Sequence, residues 1–252
     1  MSDATARETL IFTIAQLLRG VRHVAVGALS PIPAAGAMLL RALEQRRGGE
    51  AVRISILGSA EHNFFTQGAS ELFDCAAQGR IDAFFLGGGQ IDGAGNINLV
   101  GSGDYPNSEV RWPGSFGSAF LYYVVPRVIL FREEHSPRVL VEKVDFVSAP
   151  GTSPPGVYRV GGPYALLTGS ALFSFEKEKS RFRLESVHPG HTVEEINAST
   201  GFAFASAPEV RATQQPDQET LALLRGRVLD ELAETYPQFA KLLQADAIGK
   251  AA

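Results

Sequence analysis

The sequence of 252 residues lacks most marks of a secreted, membrane-bound or nucleic-acid-binding protein. It contains one cysteine, Cys75, which excludes an internal disulfide and a cysteine-rich zinc site. No apolar run approaches the roughly 20 residues that a membrane span needs. The polar start, from Met1 to Arg7, resembles neither a signal peptide nor a transit peptide. The formal net charge of -4 comes without the clustered basic excess of a nucleic-acid binder. We therefore predict a cytoplasmic protein with no membrane or nucleic-acid partner.

Several catalytic motifs are also absent. The patterns G-x-x-x-x-G-K-[ST], H-E-x-x-H and G-x-S-x-G do not occur, which argues against a P-loop, a zinc protease and a hydrolase elbow. The glycine stretch that begins at Gly87 does not match G-x-G-x-x-G, because Asp92 stands where the pattern requires its third glycine. The five histidines are scattered, and the Pro-Gly pair between His188 and His191 favours a turn. No metal site is predicted.

The first third of the chain alternates between amphipathic segments and short buried runs. Strand, helix, strand, helix, strand at this spacing is typical of a parallel sheet with crossover helices. Hydrophobic residues make up 45% and charged residues 20% of the chain, an ordinary globular composition. The predicted helices are Thr5–Leu18, Ala34–Arg46 and Ala69–Gln78, with Pro31 and Pro33 closing the turn before the second, and the predicted strands are His23–Gly27, Val52–Leu57 and Ile81–Leu86.

After Gly87 the pattern changes to short strands interrupted by glycine, asparagine and proline. We predict one α/β domain over residues 1–252, with an open, mainly parallel sheet that becomes mixed toward the C-terminus. Its polar ends, about 1–6 and 240–252, are expected to be flexible. The later predicted elements are strands around Ile97 and at Val128–Phe131, Val139–Val147, Tyr164–Thr168, Ala171–Phe175 and Arg181–Val187, a hairpin turn at Gly169-Ser170, and helices at Val193–Ser199 and Gln218–Leu232.

The stretch Gly87-Gly-Gly-Gln-Ile-Asp-Gly-Ala-Gly-Asn-Ile-Asn98 is the strongest candidate for function. Its second part, Asp92 to Gly95, has the composition of a tight turn. A turn does not account for three consecutive glycines, which let a substrate approach backbone N–H groups closely. Such donors can stabilise an oxyanion, and the stretch follows a predicted strand, where parallel sheets place their sites. From the residues alone, a structural turn and a functional pocket stay open as alternatives.

Several motifs in order resemble the β subunit of the family I CoA-transferases, of the type found in glutaconate CoA-transferase. They are G-G-x-Q-[IV]-D-x-x-G-N-x-N from Gly87, Gly-Asp-Tyr at 103–105 and Pro-Gly-Ser-x-Gly at 113–117. The segment Val141–Gly151 resembles K-x-D-[FY]-V-x-S-P-G, with Ala149 in place of the serine. The resemblance extends roughly from Leu10 to Leu232, and also includes His188-Pro-Gly, Thr200-Gly-Phe202 and the glycine-proline turn from Gly27 to Pro31.

The resemblance implies a two-subunit enzyme whose active site lies between α and β chains. It also implies a CoA-transferase-like fold and coenzyme A as part of the substrate, with no permanently bound cofactor. In the true transferases a β-subunit glutamate at the end of the second strand attacks the acyl-CoA. The matching stretch here is Ile54-Ser-Ile-Leu-Gly-Ser59, which places Ile56 or Leu57 where the carboxylate is expected. An aliphatic side chain cannot be acylated, so the sequence departs from the family at its central residue.

Three accounts of this departure compete. Glu61 can supply the carboxylate from a shifted loop, although a solvated loop acid is the preferred interpretation. Alternatively, the chain resembles the steroid-ring-opening hydrolase and methylglutaconyl-CoA decarboxylase pairs, which use the same scaffold for carbon–carbon cleavage. In the third account, the chain has no catalytic role and is either a structural partner or a subunit that only binds acyl-CoA. We predict a hydrolase- or lyase-type subunit that needs an α partner, with a genuine CoA-transferase or a non-catalytic subunit as alternatives.

The predicted site has an oxyanion side formed by Gly88, Gly89 and Gln90, while Asp92 and Asn96 hold the turn. Arg111 is expected to meet a substrate carboxylate or a CoA phosphate, with an ion pair inside the protein as the alternative. Ser115 and Gly117 are expected to open a helix that faces an anion. The residues predicted to bind substrate or CoA are Gly27, Pro31, Gly58, Gly87, Asp104, Tyr105, Arg111, Ser115 and Gly117.

Overall fold

The computed structural model describes residues 4–251 and contains helices and strands in the alternation predicted for the first third of the chain. A single π-helical turn, Leu224–Val228, joins the sixth and seventh helices, and a short 3-10 turn covers Lys177–Lys179. The α-helices are α1 (Ala6–Leu17), α2 (Pro31–Arg46), α3 (Ala69–Ala77), α4 (Ser118–Val124), α5 (Val193–Ser199), α6 (Gln218–Leu223), α7 (Leu229–Thr235) and α8 (Pro237–Ala251).

Eight strands form one sheet, and two further pairs form small antiparallel hairpins. The strands are β1 (His23–Val26), β2 (Arg53–Ile56), β3 (Ala83–Leu86), β4 (Gln90–Ile91), β5 (Ile97–Asn98), β6 (Gly101–Ser102), β7 (Val110–Arg111), β8 (Arg127–Arg132), β9 (Pro163–Thr168), β10 (Ala171–Glu176), β11 (Arg181–Val187) and β12 (Ala205–Ala212). The order in the large sheet is β12-β11-β10-β9-β8-β3-β1-β2, while β4 pairs with β5 and β6 with β7.

The large sheet is mainly parallel. Strand β1 pairs in parallel with β2, from His23 opposite Arg53 to Val26 opposite Ile56. Strands β8 and β9 are also parallel, and so are β11 and β12. Strand β10 runs antiparallel to both of its neighbours. The predicted fold class, an open and mainly parallel α/β sheet that becomes mixed toward the C-terminus, is confirmed.

Contacts between Cα atoms divide the chain into two compact units. The first takes in the described residues up to Leu72, Arg80–Ala83 and the residues from Gln214 onward. Its helix α1 begins with a capping box, in which the Thr5 side chain and the Glu8 side chain each bond to the other residue's backbone N–H. Helix α2 packs on α1 at Gly36, where a Cβ atom would overlap the Ile14 side chain. The missing side chain therefore sets the distance between the two helices.

The second unit comprises Phe73–Gly79 and Phe84–Thr213. Its core is rich in aromatic rings, with Phe173 in edge contact with Phe182 and with Phe204. The predicted hairpin between β9 and β10 is confirmed, and Gly169 must approach the Glu133 carbonyl so closely that no side chain fits there. The predicted single domain over residues 1–252 stays a prediction.

Several predicted elements differ from the structure. Val139–Val147 forms no strand and contains only the isolated bridge at Leu140. Its apolar residues Val139, Leu140 and Val144 are buried individually in an irregular segment. Helix α2 begins at Pro31 rather than after the prolines, because proline fits the first helical turn without losing a hydrogen bond. The end predicted to be flexible lies largely in α8, and residues 1–3 and 252 lie outside the described residues. No described helix is long and apolar enough to span a membrane.

Candidate functional site

In the first unit, the predicted site residues gather at the carboxyl ends of β1 and β2. The Leu57 N–H donates to the Val26 carbonyl at 3.0 Å, so the two strand ends lie side by side. Ile56 is fully buried and Leu57 is half-buried. Gly58 follows with a φ of 86°, a conformation that glycine adopts without strain. The end of β2 therefore presents aliphatic side chains and a glycine turn, with no carboxylate.

The loop after β2 closes on itself. The Ile56 N–H donates to the His62 carbonyl at 2.9 Å, and the His62 N–H donates to Ser59 Oγ at 2.9 Å. Ser59 and His62 are buried, whereas Glu61 between them is exposed. The structure thus places Glu61 on the outer side of a tightly bonded loop, in agreement with the preferred interpretation of a solvated acid.

The loop after β1, which runs from Gly27 to Pro31, brings Ala28 beside Gly58. A Cβ atom on Gly58 would lie 3.7 Å from the Ala28 side chain, so this loop and the loop after β2 are neighbours. Leu29, at the tip between Gly27 and Pro31, is 95% exposed. The predicted residues of this unit, Gly27, Pro31, Gly58 and Glu61, therefore line two adjacent loops.

Sequence reasoning missed the charged residues that meet these loops from other elements. His62 Nε2 lies 3.0 Å from Glu231 Oε1 of α7, and the Arg41 guanidinium of α2 contacts the same carboxylate. Desolvation, with a further contribution from Arg41, lowers the pKa of His62 below its ordinary value. Glu234 and Tyr236 also bond to the two loops. No local motif marks these residues, because they approach through the tertiary fold.

In the second unit, packing explains the glycines. The Gly89 N–H donates to the Asn98 carbonyl at 2.9 Å, and a Cβ atom on Gly89 would overlap the Trp112 ring. A Cβ on Gly88 would lie 2.6 Å from the Gln90 carbonyl oxygen, and one on Gly87 would lie 3.3 Å from the carbonyl oxygen of Phe131. Packing within the protein therefore requires glycine at positions 88 and 89 and leaves little room for a side chain at 87.

Gly88 differs from Gly89 in that its backbone N–H is not hydrogen-bonded within the described residues. Gly88 is buried, and within residues 4–251 its N–H forms no hydrogen bond with another protein group. Buried backbone N–H groups are rarely left without an acceptor. Of the two predicted oxyanion glycines, Gly88 is therefore the one whose N–H is available to a ligand, because Gly89 uses its own in the hairpin.

Gln90 is buried, and its side chain is held at both ends. Nε2 donates to Asp145 Oδ2 at 2.9 Å, while Oε1 accepts from the Asp145 N–H at 3.0 Å and from Asn98 Nδ2 at 2.8 Å. Asp145 Oδ2 also accepts from the Gly103 N–H at 2.9 Å. The side chain of Gln90 therefore fixes the position of the glycine segment relative to the loop after β6.

The turn after Gln90 is held as predicted. Asp92 Oδ1 accepts from the N–H groups of Ala94 and Asn96 at 3.0 Å each, and Asp92 Oδ2 accepts from Asn96 Nδ2 at 3.0 Å. Asn96 Oδ1 in turn accepts from the Gly151 N–H at 3.0 Å. The predicted structural roles of Asp92 and Asn96 are confirmed.

Three further predicted residues lie at the exposed end of this framework. Asp104 is exposed, and Tyr105 is 56% exposed with its ring 4.7 Å from that of Phe146. Arg111 pairs with Gly101 across the β6–β7 hairpin, and its side chain is exposed. In the part of the chain that the structure describes, Arg111 forms no ion pair, so the alternative of a salt bridge inside the protein is not observed there.

Ser115 and Gly117 precede α4, which confirms that a helix opens there. The Ser115 carbonyl accepts from the Ser118 N–H at 3.1 Å and from Ser118 Oγ at 2.8 Å. Gly117 has a φ of 69°, and a Cβ there would overlap the Phe73 ring. Phe73 also contacts Phe116, which is 83% exposed. Local bonding and packing account for both residues, and α4 has only seven residues.

None of the described residues form a group of three or more His, Cys, Asp or Glu side chains that could hold a metal ion. The donors available at these positions are the N–H group of Gly88 and the exposed guanidinium of Arg111. Such donors bind and polarise carbonyl and phosphate oxygens.

Comparison with known proteins gives a family match over residues 23–199, to a model described as Coenzyme A transferase. The β subunit of 3-oxoadipate CoA-transferase from Pseudomonas knackmussii is 35% identical over 153 residues, which are 58% of this chain and 58% of the relative. The β subunit of glutaconate CoA-transferase from Acidaminococcus fermentans is 29% identical over 151 residues, 57% of this chain and 56% of the relative. Each match spans less than two thirds of the relative.

Other similarities extend over more of the chain. The cholesterol ring-cleaving hydrolase IpdB subunit of Rhodococcus jostii is 26% identical over 241 residues, 91% of this chain and 94% of the relative. The crystal structure of the decarboxylase AibA/AibB aligns with a TM-score of 0.74 and 25% identity, covering 90% of this chain and 98% of the matched chain. These matches confirm the resemblance carried by the sequence motifs.

Proposed function

Because the chain belongs to the coenzyme A transferase family, we propose that it is the β-type subunit of a two-subunit enzyme acting on an acyl-CoA thioester. The reaction is carbon–carbon cleavage of a hydrolase or lyase type, without a glutamyl-CoA intermediate, on an organic-acid or ring-derived acyl group. Coenzyme A enters as part of the substrate. The cytoplasmic location expected from the sequence stays a prediction.

The observation that carries the proposal is the end of β2. The resemblance to the transferases implies a glutamate there, and the structure has buried Ile56, half-buried Leu57 and a glycine turn. Glu61 is exposed on the outer side of the closed loop. A covalent acyl intermediate needs a nucleophile within reach of the thioester carbon, and this strand end offers none.

The similarities include proteins whose reaction is other than CoA transfer. By sequence, the ring-cleaving hydrolase subunit matches 91% of this chain, whereas the two transferase subunits match 58% and 57%. By structure, the decarboxylase covers 90% of this chain and glutaconate CoA-transferase 88%, so the fold is common to both reaction types. The relatives are named as subunits or as pairs such as AibA/AibB, and this supports a partner α subunit for this chain.

In the proposed site, the Gly88 N–H donates to the thioester oxygen as negative charge develops on it. One such donor is worth about 3 kcal/mol of transition-state stabilisation. Gly89 and Gln90 hold Gly88 in place, because Gly89 packs under Trp112 and Gln90 bonds to Asp145. Asp104, Tyr105 and Arg111 are proposed to contact the substrate or its CoA moiety.

Copurification with the α partner, followed by assays with a panel of dicarboxylic and cyclic acyl-CoAs, tests this proposal. We expect turnover by the pair, with little by the isolated chain. Transfer of CoA to acetate together with a trapped thioester at Glu61 would contradict the proposal. Tight CoA binding by the isolated chain, with no turnover after the partner is added, would instead indicate a non-catalytic binding protein.

A genuine CoA-transferase is the second candidate. The observation in its favour is the identity of 35% with the β subunit of 3-oxoadipate CoA-transferase. It requires a carboxylate that reaches the thioester, and Glu61 would have to turn inward. The assays above separate the two candidates, since transfer to acetate releases no cleaved acyl product.

A further inference from the structure

A carboxylate from a distant part of the sequence lies on the loop after β2. Glu234, near the end of α7, accepts from Ser59 Oγ at 2.8 Å and from the Ala60 N–H at 2.9 Å. The Glu61 N–H and the Thr235 hydroxyl are further donors. One carboxylate thus receives the side-chain and backbone donors of three consecutive residues of this loop.

Tyr236, two residues further on, reaches the loop after β1. Its hydroxyl donates to the Gly27 carbonyl at 3.2 Å, and the Ser30 backbone also bonds to this hydroxyl. Both Glu234 and Tyr236 lie beyond residues 23–199, the stretch that matches the family model. The family match therefore does not account for the residues that hold these two loops.

The bonding pattern distinguishes two possible roles of Glu234. Although desolvation raises the pKa of Glu234, hydrogen bonds from Thr235, Ser59, Ala60 and Glu61 outweigh it and lower the pKa below its ordinary value. An ionised carboxylate whose oxygens are occupied by several donors is a weak nucleophile and a weak base. Its bonding suits holding a loop in place rather than attacking a thioester.

We infer that Glu234 and Tyr236 form a clamp that fixes the loops Gly27–Ser30 and Leu57–His62 in the geometry that aligns the bound substrate for reaction. Glu234 is thus a positioning residue for the proposed reaction, on which this inference rests. The first of these loops carries Leu29, which is 95% exposed, and its neighbour Ala28 lies beside Gly58 of the second loop. A fully exposed leucine at this position suits contact with an apolar acyl group.

Hydrogen exchange of the full chain tests the clamp without any substrate. In Glu234→Ala, the amides of Ala60 and Glu61 are expected to exchange about tenfold faster, because their acceptor is lost. Tyr236→Phe is the variant to use if Glu234→Ala fails to fold: it removes the hydroxyl to which the Ser30 backbone bonds, and the Ser30 amide is then expected to exchange faster. Asp230→Asn is the matched control, since Asp230 is an exposed carboxylate on the same helix. Unchanged exchange in Glu234→Ala would overturn the inference whatever the activity.

Kinetics of the complex with its α partner test the positioning role. We expect kcat to fall about 10- to 100-fold in Glu234→Ala, with KM for the acyl-CoA nearly unchanged, and Glu234→Asp to recover part of the loss. Faster exchange with unchanged kcat would overturn positioning. A thioester trapped at Glu234 in the wild type would make it a nucleophile, and would also overturn the inference. If the wild-type complex cleaves no acyl-CoA, the proposed function fails, while the exchange result still decides whether the clamp exists.

Discussion

Gln90 and Asp145 are joined by two hydrogen bonds that run in opposite directions. The Gln90 amide donates to the Asp145 carboxylate at 2.9 Å, and the Asp145 N–H donates to Gln90 Oε1 at 3.0 Å. Gln90 is buried, while Asp145 is exposed. The pair anchors the glycine segment to an exposed loop 55 residues away along the chain.

The first prediction follows from this pair. Asp145→Asn replaces the charged carboxylate, whose Oδ2 accepts two hydrogen bonds, with a neutral amide that accepts them more weakly. We expect kcat/KM of the complex to fall about tenfold, because Gly88 loses part of its support, and the free energy of unfolding to fall by about 1 kcal/mol. Steady-state kinetics and urea unfolding measure the two effects.

Glu142→Gln is the matched control for Asp145→Asn. Glu142 is an exposed acid in the same segment, and its substitution is expected to change neither kcat/KM nor stability. If Asp145→Asn lowers stability while leaving kcat/KM intact, the glycine segment is structural and does not act in the reaction.

The second prediction concerns Gly89 and Trp112. Gly89→Ala places a methyl group inside the Trp112 ring, so we expect a loss of about 1–3 kcal/mol in the free energy of unfolding. In the double variant Gly89→Ala with Trp112→Leu, the smaller leucine side chain should leave room for the methyl group and recover part of the lost stability. Chemical unfolding of the four proteins gives the coupling energy between the two positions.

Gly226→Ala is the comparison for Gly89→Ala. Nothing lies within 4 Å of a Cβ atom at Gly226, which sits in the π-helical turn. Alanine is favoured over glycine in a helix by about 1 kcal/mol, so this variant should be neutral or stabilising. Equal stability of Gly89→Ala and the wild type would contradict the close packing under Trp112.

Sequence patterns predict the part of the fold in which burial is regular. Strands such as Ala83–Leu86 are buried at every residue, which is typical of a parallel sheet with both faces covered. Strand β12 could not be found in this way, because Ala205–Ala212 is mostly exposed, has Val210 as its one large apolar side chain and contains Pro208. Val139–Val147 has an apolar composition without the regular backbone of a strand, so composition alone was misleading there.

The candidate site was predictable only in part. The turn formed by Asp92 and Asn96 rests on contacts within five residues, and local sequence therefore identifies it. The partners of Gln90 and of the loop after β2 are Asp145 and Glu234, which lie far along the chain. No periodicity or spacing reports contacts of that kind, since the tertiary fold creates them.

The third prediction is that the folded protein loses stability as the pH falls, because two of its histidines are held in their neutral form. His188 Nε2 donates to the Thr168 carbonyl at 2.9 Å, and Nδ1 accepts from Thr213 Oγ1 at 2.8 Å. The ring is therefore satisfied in its neutral form. Desolvation lowers the pKa of His188 to about 4, and that of His135 also to about 4.

The direction in which the free energy of unfolding changes with pH follows from proton binding. An unfolded histidine titrates near 6.5, so between about pH 6.5 and 4 the unfolded chain binds more protons than the folded one. The contribution of each histidine is complete above pH 6.5 and is lost as the pH falls toward 4, with a slope of up to about 1.4 kcal/mol per pH unit. Urea unfolding at several pH values measures this slope.

His188→Gln should flatten the pH dependence between 6.5 and 4, although the variant is less stable at neutral pH. His191→Gln is the control, because the His191 side chain is 41% exposed. Desolvation contributes more than His191 to the lowered pKa values of His188 and His135, so this variant should keep most of the wild-type slope. An unchanged slope in His188→Gln would show that the acid sensitivity arises from other groups.

The last prediction assigns the partner of Arg111. Because Arg111 is exposed and forms no ion pair within residues 4–251, a substrate anion can occupy its guanidinium. A hydrogen bond to a charged group is worth about 1.5–3 kcal/mol, so Arg111→Gln should raise KM of the complex about 10- to 100-fold with little change in kcat.

Inhibition by free coenzyme A identifies the anion that Arg111 binds. In Arg111→Gln, the inhibition constant of coenzyme A rises together with KM if Arg111 binds a CoA phosphate, and it stays constant if Arg111 binds an acyl carboxylate. Arg211→Gln, at an exposed arginine of β12, is the control and should leave both constants unchanged. Wild-type values of both constants in Arg111→Gln would remove Arg111 from the proposed site.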